Sequence, residues 1–315
     1  MDVTSSGLPT KVVIAGGTGF LGQLLAKSFS NEGIDVILLS RQQSSNVQYG
    51  RVVTWDAKTI GTWVDELEEC GVLVNLTGRS VDCRHNHFNR KEILGSRVQS
   101  TRLLGEAINL CKQPPALWLN ASSMALYGQL WGDSPAHTEE SPLQTAGFLE
   151  DVTVAWEDEF FKCKRAGVRQ VALRISFILG RRSGAFPLLK KLTQLGLGGH
   201  QGSGQQWMSW LHEEDWVGIV RFLCHQDQNH VSGSLNLSAP SPVTNKDFMH
   251  QMRSEFAPLG LGLWAPAFGV RIGCFLLGSS PELALQSRKV IPQTLMDLKY
   301  PFVYSQLEEA VCSLA

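Results

Sequence analysis

Lys11-Val-Val-Ile-Ala-Gly16-Gly17-Thr18-Gly19-Phe20-Leu21-Gly22 reads as a short buried strand, a glycine-rich turn and the start of a helix. Its glycines follow the spacing G-x-x-G-x-x-G, and each has a mechanical reason. Gly16 permits the tight turn out of the strand, Gly19 lets the backbone approach a pyrophosphate, and Gly22 lets the helix pack against the strand. The free N–H groups of the helix N-terminus then face the phosphate charge. A lone glycine triplet is weak evidence, but Val12, Val13 and Ile14 supply a strand before this one. Leu21, Leu24, Leu25 and Phe29 supply an apolar helix after it. That context favours a dinucleotide site over a glycine turn without a ligand.

The next strand narrows the cofactor. Gly33 ends the helix, and Asp35-Val-Ile-Leu-Leu-Ser40-Arg41 follows as strand two. An acid at the end of this strand would accept hydrogen bonds from ribose hydroxyls, whereas an arginine accommodates a 2′-phosphate. The strand ends in Ser40-Arg41, and Asp35 lies at its wrong end. The planar fork of donors on Arg41 therefore favours NADP(H) over NAD(H), the alternative being a solvated loop arginine.

With 315 residues the chain can bury a large core, as one big domain or two unequal lobes. Its 28 basic and 29 acidic residues nearly cancel, which gives no electrostatic case for nucleic acid or a membrane surface. Seven scattered cysteines without a C-x-x-C read as reduced thiols, implying an intracellular protein of the cytoplasm or an organelle interior. Residues 1–10 are polar and read as a flexible leader, not a secretory signal. The apolar stretch 260–280 is broken by Arg271, Pro266 and glycines, so the spacing predicts a buried or groove-lining helix over 266–278 instead of a membrane span. Asp82-Cys-Arg-His-Asn-His87 mimics a metal cluster, but no second ligand pair completes it, and no metal is expected.

Strands predicted at 11–15, 35–40, 51–55, 72–76, 116–121 and 170–175 alternate with helices at 20–32, 61–69, 87–111 and 148–166. This pattern predicts an α/β fold, a doubly wound parallel sheet of Rossmann type with ligands at the carboxyl ends of its strands. The polar segment 129–147 reads as a loop over that edge. After residue 180 the pattern becomes less regular, with helices near 213–225, 245–255, 266–278 and 304–313. Residues 11–180 are thus expected to form the NADP-binding domain. Residues 181–315 are expected to form mainly a smaller C-terminal substrate lobe, some segments returning to the first domain.

By Gly22 the chain resembles the extended short-chain dehydrogenase/reductase superfamily, and later segments sharpen the resemblance. Val74-Asn-Leu-Thr-Gly78 resembles a strand-four motif lying against the cofactor. Asn120-Ala-Ser-Ser-Met-Ala-Leu-Tyr127-Gly128 resembles the strand-five segment of sugar-nucleotide epimerases, and Arg174-Ile-Ser-Phe-Ile-Leu-Gly180 their strand-six motif. Gly95-Ser-Arg97, Thr101-Arg-Leu-Leu104, Gly196-Leu-Gly-Gly199, the segment 202–215 and Ser287-Arg-Lys-Val-Ile-Pro292 look like one branch, the "epimerase family protein" group of NADP-binding relatives. The resemblance covers about residues 11–312. It implies cofactor contacts from Gly16, Thr18, Gly19, Phe20, Leu21, Gly22, Ser40, Arg41, Leu76, Thr77, Gly78, Glu92, Arg97, Ser122 and Leu179, and from Asp56 to the adenine amino group. Dimerisation through the helices at 87–111 and 148–166 is a superfamily expectation, so the chain is read as a monomer or homodimer.

The superfamily's proton relay is a tyrosine with a lysine four residues later, the cation lowering the tyrosine's pKa. None of the four tyrosines here has lysine at that spacing. Val152 falls at the tyrosine position and Trp156 at the lysine position; Ser123 keeps the serine position, and Ser96 stands for the asparagine. Ser123 and Tyr127 are the remaining catalytic candidates. Tyr127 is a substitute acid or a structural tyrosine whose hydroxyl caps the loop; Ser123 holds a substrate oxygen or satisfies the strand end. Arg97 reads as a phosphate or anion contact, Glu92 as a ribose or amide contact, each against the alternative of a solvated helix face. Gln205, Gln206, Trp207 and Trp210 offer amides and flat apolar surface suited to a small polar, sugar-like substrate, or pack an inter-lobe loop. His212 stays open, and Asp215 reads as a helix cap. Two classes remain: an NADP-dependent oxidoreductase or epimerase-type enzyme with a non-standard proton donor, and a non-catalytic NADP(H)-binding regulator. Relatives of this branch are linked to cell or plastid division, which keeps the second class open by resemblance.

Overall fold

The computed structural model describes residues 7–42, 47–144 and 147–315. Continuous apolar runs form the centre of a parallel sheet: β1 (Lys11–Ala15), β2 (Asp35–Ser40), β4 (Val72–Asn75) and β5 (Leu117–Ser123) are buried along almost their whole length. Such runs are expected of strands covered on both faces. With β3 (Arg51–Thr54), β6 (Arg169–Ile175) and β10 (Gly233–Leu237) they make seven strands in the order β10-β6-β5-β4-β1-β2-β3. All pairings in this sheet are parallel. The order reverses between β1 and β4, which opens a crevice at their carboxyl ends.

Helices cover both faces. On one, α1 (Phe20–Ser30) and α5 (Glu213–Cys224) bury Leu25, Phe29, Trp216, Ile219 and Leu223 against the sheet. On the other, α2 (His87–Leu110) and α3 (Phe148–Lys162) bury Leu104, Ile108 and Phe160. A third cluster lies beyond β6. There β7 (Phe177–Leu179) pairs with β9 (Trp210–His212), and β8 (Trp207–Met208) pairs with β11 (Val243–Thr244). Around these short strands Phe186 of α4 (Phe186–Gln194), Phe248 and Met252 of α6 (Asn245–Phe256) and Val311 of α10 (Leu307–Ser313) pack together.

The six predicted strands and the four helices of the first half occur within a few residues of their expected bounds, the helix at 61–69 as a 3-10 turn, Thr62–Leu67. The helix expected over 266–278, buried or lining a groove, forms as α7 (Ala267–Leu277); burial is overturned, since no residue of α7 is buried, while Arg271 lines a cleft. The short helices α8 (Glu282–Leu285) and α9 (Gln293–Asp297) follow. No helix among the described residues is long and apolar enough to cross a membrane.

Candidate functional site

At the crevice the backbone of Gly16 adopts φ +74°, a region closed to most side chains. A Cβ there would lie 3.0 Å from the carbonyl of Leu76, so the turn sits tightly on the end of β4. Gly22 packs closer still: its Cβ would lie 2.6 Å from Gly17 Cα, so the helix meets the turn itself and not, as expected, the strand. Gly19 stands at the N-cap of α1, no side chain caps the helix and its first turn holds no acid. Its leading N–H groups therefore present unneutralised positive charge. Phe20 lies against Gly180, where a Cβ would be 2.2 Å from its ring, while Leu21 is half-buried and its carbonyl accepts from Trp216 Nε1 at 3.3 Å.

Ser40 is buried at the end of β2, with its hydroxyl 3.5 Å from that of Thr18. Arg41 is exposed one residue further on, and its guanidinium has no hydrogen bond or ion pair to any described residue. At the end of β4, Asn75 Oδ1 accepts from Thr77 N at 3.0 Å, and Asn75 Nδ2 donates to Asn120 and Thr101. Thr77 Oγ1 is buried without a partner among the described residues. Arg97, on α2, packs its guanidinium on Gly78 and donates to the carbonyls of Arg79 and Ile93 at 3.0 Å. No carboxylate pairs with it among the described residues, and burial lowers its pKa to about 10. Its charge lies 5.1 Å from the ring centre of Trp156, so a cation does occupy the space beside the residue at the lysine position. Trp156 Nε1 is already committed to Thr101 Oγ1 at 2.9 Å. Glu92 is exposed on α2 with no partner among the described residues.

Several expected contacts do not face this crevice. Tyr127 is fully buried, its hydroxyl accepting from Arg174 at 2.6 Å and donating to Asn236 Oδ1 at 2.8 Å. Burial raises its pKa, against the pull of the Arg174 charge. It is a structural tyrosine, and the expectation of a substitute acid is corrected. Arg174 in turn forms a two-pronged pair with Glu157, at 2.9 and 2.8 Å, and Glu157 also accepts from Ser122, which is buried behind the strand end. Trp210 is wholly buried, its indole N–H on Ser241 O, and Gln206 donates to Gln201 O. Both are packing residues, Gln206 just ahead of β8 and Trp210 in β9. Leu179 is likewise sealed in the third core cluster, which corrects its expected side-chain contact with a cofactor. The Asp56 carboxylate accepts from Lys58 N, Thr59 N and Thr59 Oγ1, bonds that lower its pKa to about 2. It holds its own turn rather than reaching outward.

What remains open is Ser123, half-buried at the end of β5. Its Oγ accepts from Ala125 N at 3.2 Å, and its own proton has no acceptor among the described residues. Trp207 is half-buried, its indole donating to Gly132 O and its ring lying under Lys289, and Gln205 is exposed. A cleft of about 420 Å³ opens between the loop after β5 and the segment 271–286, lined by Gln129, Gln144, Gln286, Glu150, Glu282 and Arg271. Glu150 is buried at its wall and paired to Arg288 at 2.6 Å, while Arg288 Nε and Nη1 are buried without partners among the described residues. Sequence reasoning had not singled out Glu150 or Arg288; the pair joins residues 138 positions apart, and only the signature Ser287–Pro292 hinted at one half of it. His212 is buried, its Nδ1 accepting from Glu214 N, and burial lowers its pKa to about 4. Asp215 accepts from the backbone of Val303 and Tyr304, tying down the C-terminal segment instead of capping a helix. Among the described residues no group of three His, Cys, Asp or Glu is placed to hold a metal.

A parallel sheet whose order reverses at a glycine-cornered, uncapped helix defines a Rossmann-type α/β protein. Within that class the relationship is specific: residues 12–237 match the NAD dependent epimerase/dehydratase family, and the chain belongs to it. Residues 265–314 match a domain of unknown function, DUF1731. The chain is 32% identical over 309 residues to the human epimerase family protein SDR39U1, covering 96% of this chain and 98% of that one. To the Bacillus subtilis (strain 168) epimerase family protein YfhF it is 30% identical, covering 96% and 97%. The crystal structure of human SDR39U1 (isoform2) with NADPH superposes with a TM-score of 0.83 at 31% identity over 97% of this chain and 99% of that one. A nucleoside-diphosphate sugar epimerase from Corynebacterium glutamicum superposes with a TM-score of 0.75 at 29% identity, over 97% of this chain and 58% of that one.

Proposed function

We propose that the chain binds NADP(H) across the β1/β4 crevice and acts as an oxidoreductase or epimerase-type enzyme on a small polar substrate. The observation that carries this is the set of unmatched groups at the crevice. The uncapped start of α1, the free Arg41 guanidinium, the orphaned Thr77 hydroxyl and the unpaired Arg97 cation all call for an anionic, hydroxyl-bearing ligand. The solved relative's complex with NADPH supports the same reading. When bound, NADPH supplies a hydride. Arg41 binds the 2′-phosphate and the N–H groups of Phe20 to Gly22 bind the pyrophosphate. Arg97 balances charge near the ribose, in place of the missing lysine. Ser123 donates a hydrogen bond from its free hydroxyl to a substrate oxygen, and the cleft beside Glu150 holds the rest of the substrate through amides and carboxylates. The unpaired state of all seven cysteines supports a reducing compartment, the cytoplasm or an organelle interior.

Calorimetric titration tests the cofactor part. Wild-type protein is expected to bind NADPH in preference to NADH, and Arg41→Ala to lose about tenfold or more of that preference, since a charge-assisted bond is worth roughly 1.5–3 kcal/mol. No binding of either nucleotide would overturn it. The enzyme part is tested by oxidation of bound NADPH against carbonyl compounds and sugar nucleotides. A second reading, a non-catalytic NADP(H)-dependent regulator, is favoured by one observation. Tyr127 is locked in a buried network and Val152 carries no proton, which leaves the crevice without an evident acid. NADPH binding without turnover of any panel member would move the conclusion to that reading.

A further inference from the structure

The segment 257–281 carries a single charge, Arg271. It also holds the most exposed apolar surface of the described residues. Phe268, Ile272, Phe275 and Leu276 are 68%, 56%, 63% and 77% exposed. Their spacing of four, three and one residues puts them on one face of α7. An apolar stripe of this kind normally turns toward a core, yet nothing in α7 is buried. Three leucines and Trp264 immediately ahead of the helix are exposed to a similar degree. Taking about 150 Å² for each large side chain, the eight together offer on the order of 800 Å² of apolar surface, the size of one partner's share of a standard protein interface. Patches beyond a few hundred Å² are uncommon on proteins that stay alone.

We propose that this face is covered by a second copy of the chain, with α7 packed antiparallel on α7 across a two-fold axis at Ile272. The helix is self-complementary in that register. Its eleven residues, Ala267 to Leu277, centre on Ile272, so Phe268 lies opposite Leu276 of the other copy and Phe275 opposite Gly269. A ring thus meets a position without a side chain, the large-against-small match that lets helices approach closely. A Cβ at Gly269 would meet only the ring of Pro266, at 3.6 Å, an ordinary contact that leaves the outer side of the position clear. In that register residue 271 lies level with Gly273 of the opposite copy, and the Arg271 side chain lines the cleft beside Glu150, so the two arginines do not meet. The near-zero net charge brings no repulsion between copies. The segment has one cation in 25 residues, and Arg84, which meets it from outside, is engaged on the carbonyl and ring of Phe275 at 2.8 and 4.3 Å, which falls short of the basic cluster that would hold the face to an anionic lipid surface.

The test is the solution mass of the full-length chain by light scattering and sedimentation over roughly 1–100 μM. The wild type is expected to run as a dimer, and Ile272→Glu as a monomer with an unchanged far-UV spectrum and melting temperature, because residue 272 is exposed in the single chain. Ile272→Cys is expected to form a disulfide-linked dimer under mild oxidation, which the wild type, carrying Cys274 and Cys312, does not form at the same rate. A wild type that is monomeric at all concentrations overturns the proposal. So does a dimer whose mass is untouched by Ile272→Glu, which would place the interface elsewhere. Flotation of a monomeric wild type with neutral lipid vesicles, lost in Ile272→Glu, overturns it in favour of a lipid surface.

Discussion

Tyr127 is the residue on which the reading of this site turns. Four residues past Ser123 and just beyond β5, it stands where a reacting group is wanted. Its hydroxyl instead closes a buried chain running from Ser122 through Glu157 and Arg174 to Asn236. Tyr127→Phe leaves Arg174 and Asn236 each short of a partner in a place water does not reach. Stability is expected to fall by about 2 kcal/mol, roughly 4 °C in melting temperature, with NADPH affinity unchanged. A melt and a titration of the same variant check this. Lost affinity or turnover at an unchanged melting temperature would put the hydroxyl back in the crevice. The sequence could not orient this ring, because its partners lie 47 and 109 residues away. The place of Arg97 on the helix after strand four, by contrast, was legible. Its perch over Trp156 was not, since that contact depends on how α2 leans on α3.

At the level of elements, the glycine turn and α1 act as one rigid corner. Gly22 has the backbone of Gly17 where a Cβ would go, and no flexible side chain can yield there. Gly22→Ala is expected to push α1 off the turn, at a cost of about 1–3 kcal/mol, and to abolish NADPH binding. Lys27→Ala on the exposed face of the same helix should change neither. Calorimetry on the two variants decides it: NADPH bound normally by Gly22→Ala would mean that the helix N-terminus does not carry the phosphate contact. Elements with continuous apolar runs, such as β1, β2 and β4, could be read directly, because burial on both faces demands such runs. Strand β10 was missed for the opposite reason. In Gly233-Ser-Leu-Asn-Leu237 the leucines enter the core, while Ser234 and Asn236 turn toward Glu157 and Tyr127. Two polar residues and a glycine in five resemble a loop until their buried partners are known. Helix α7 failed in the other direction, since apolar sequence predicts burial and is silent on which molecule provides it.

On the scale of the whole molecule, the chain's two halves are interleaved, and this bears on how it unfolds. The edge strand of the nucleotide-binding sheet comes from residues 233–237. Leu295 and Tyr300 sit in the same core cluster as Val12, Leu25 and Phe29. Val290 bridges to His137 in the loop after β5, and Arg288 anchors Glu150 at the start of α3. A C-terminal lobe with its own independent core would melt separately; one whose residues complete the other core cannot leave without opening it. A single cooperative transition is therefore expected, with calorimetric and van't Hoff enthalpies in agreement. Excess NADPH at about 100 times its dissociation constant is expected to stabilise by about 2.7 kcal/mol and to shift that one transition as a whole. Two resolved transitions, only one of them moved by NADPH, would show instead that the last hundred residues form a separable unit, and that the return of 290–302 to the sheet contributes little to holding it.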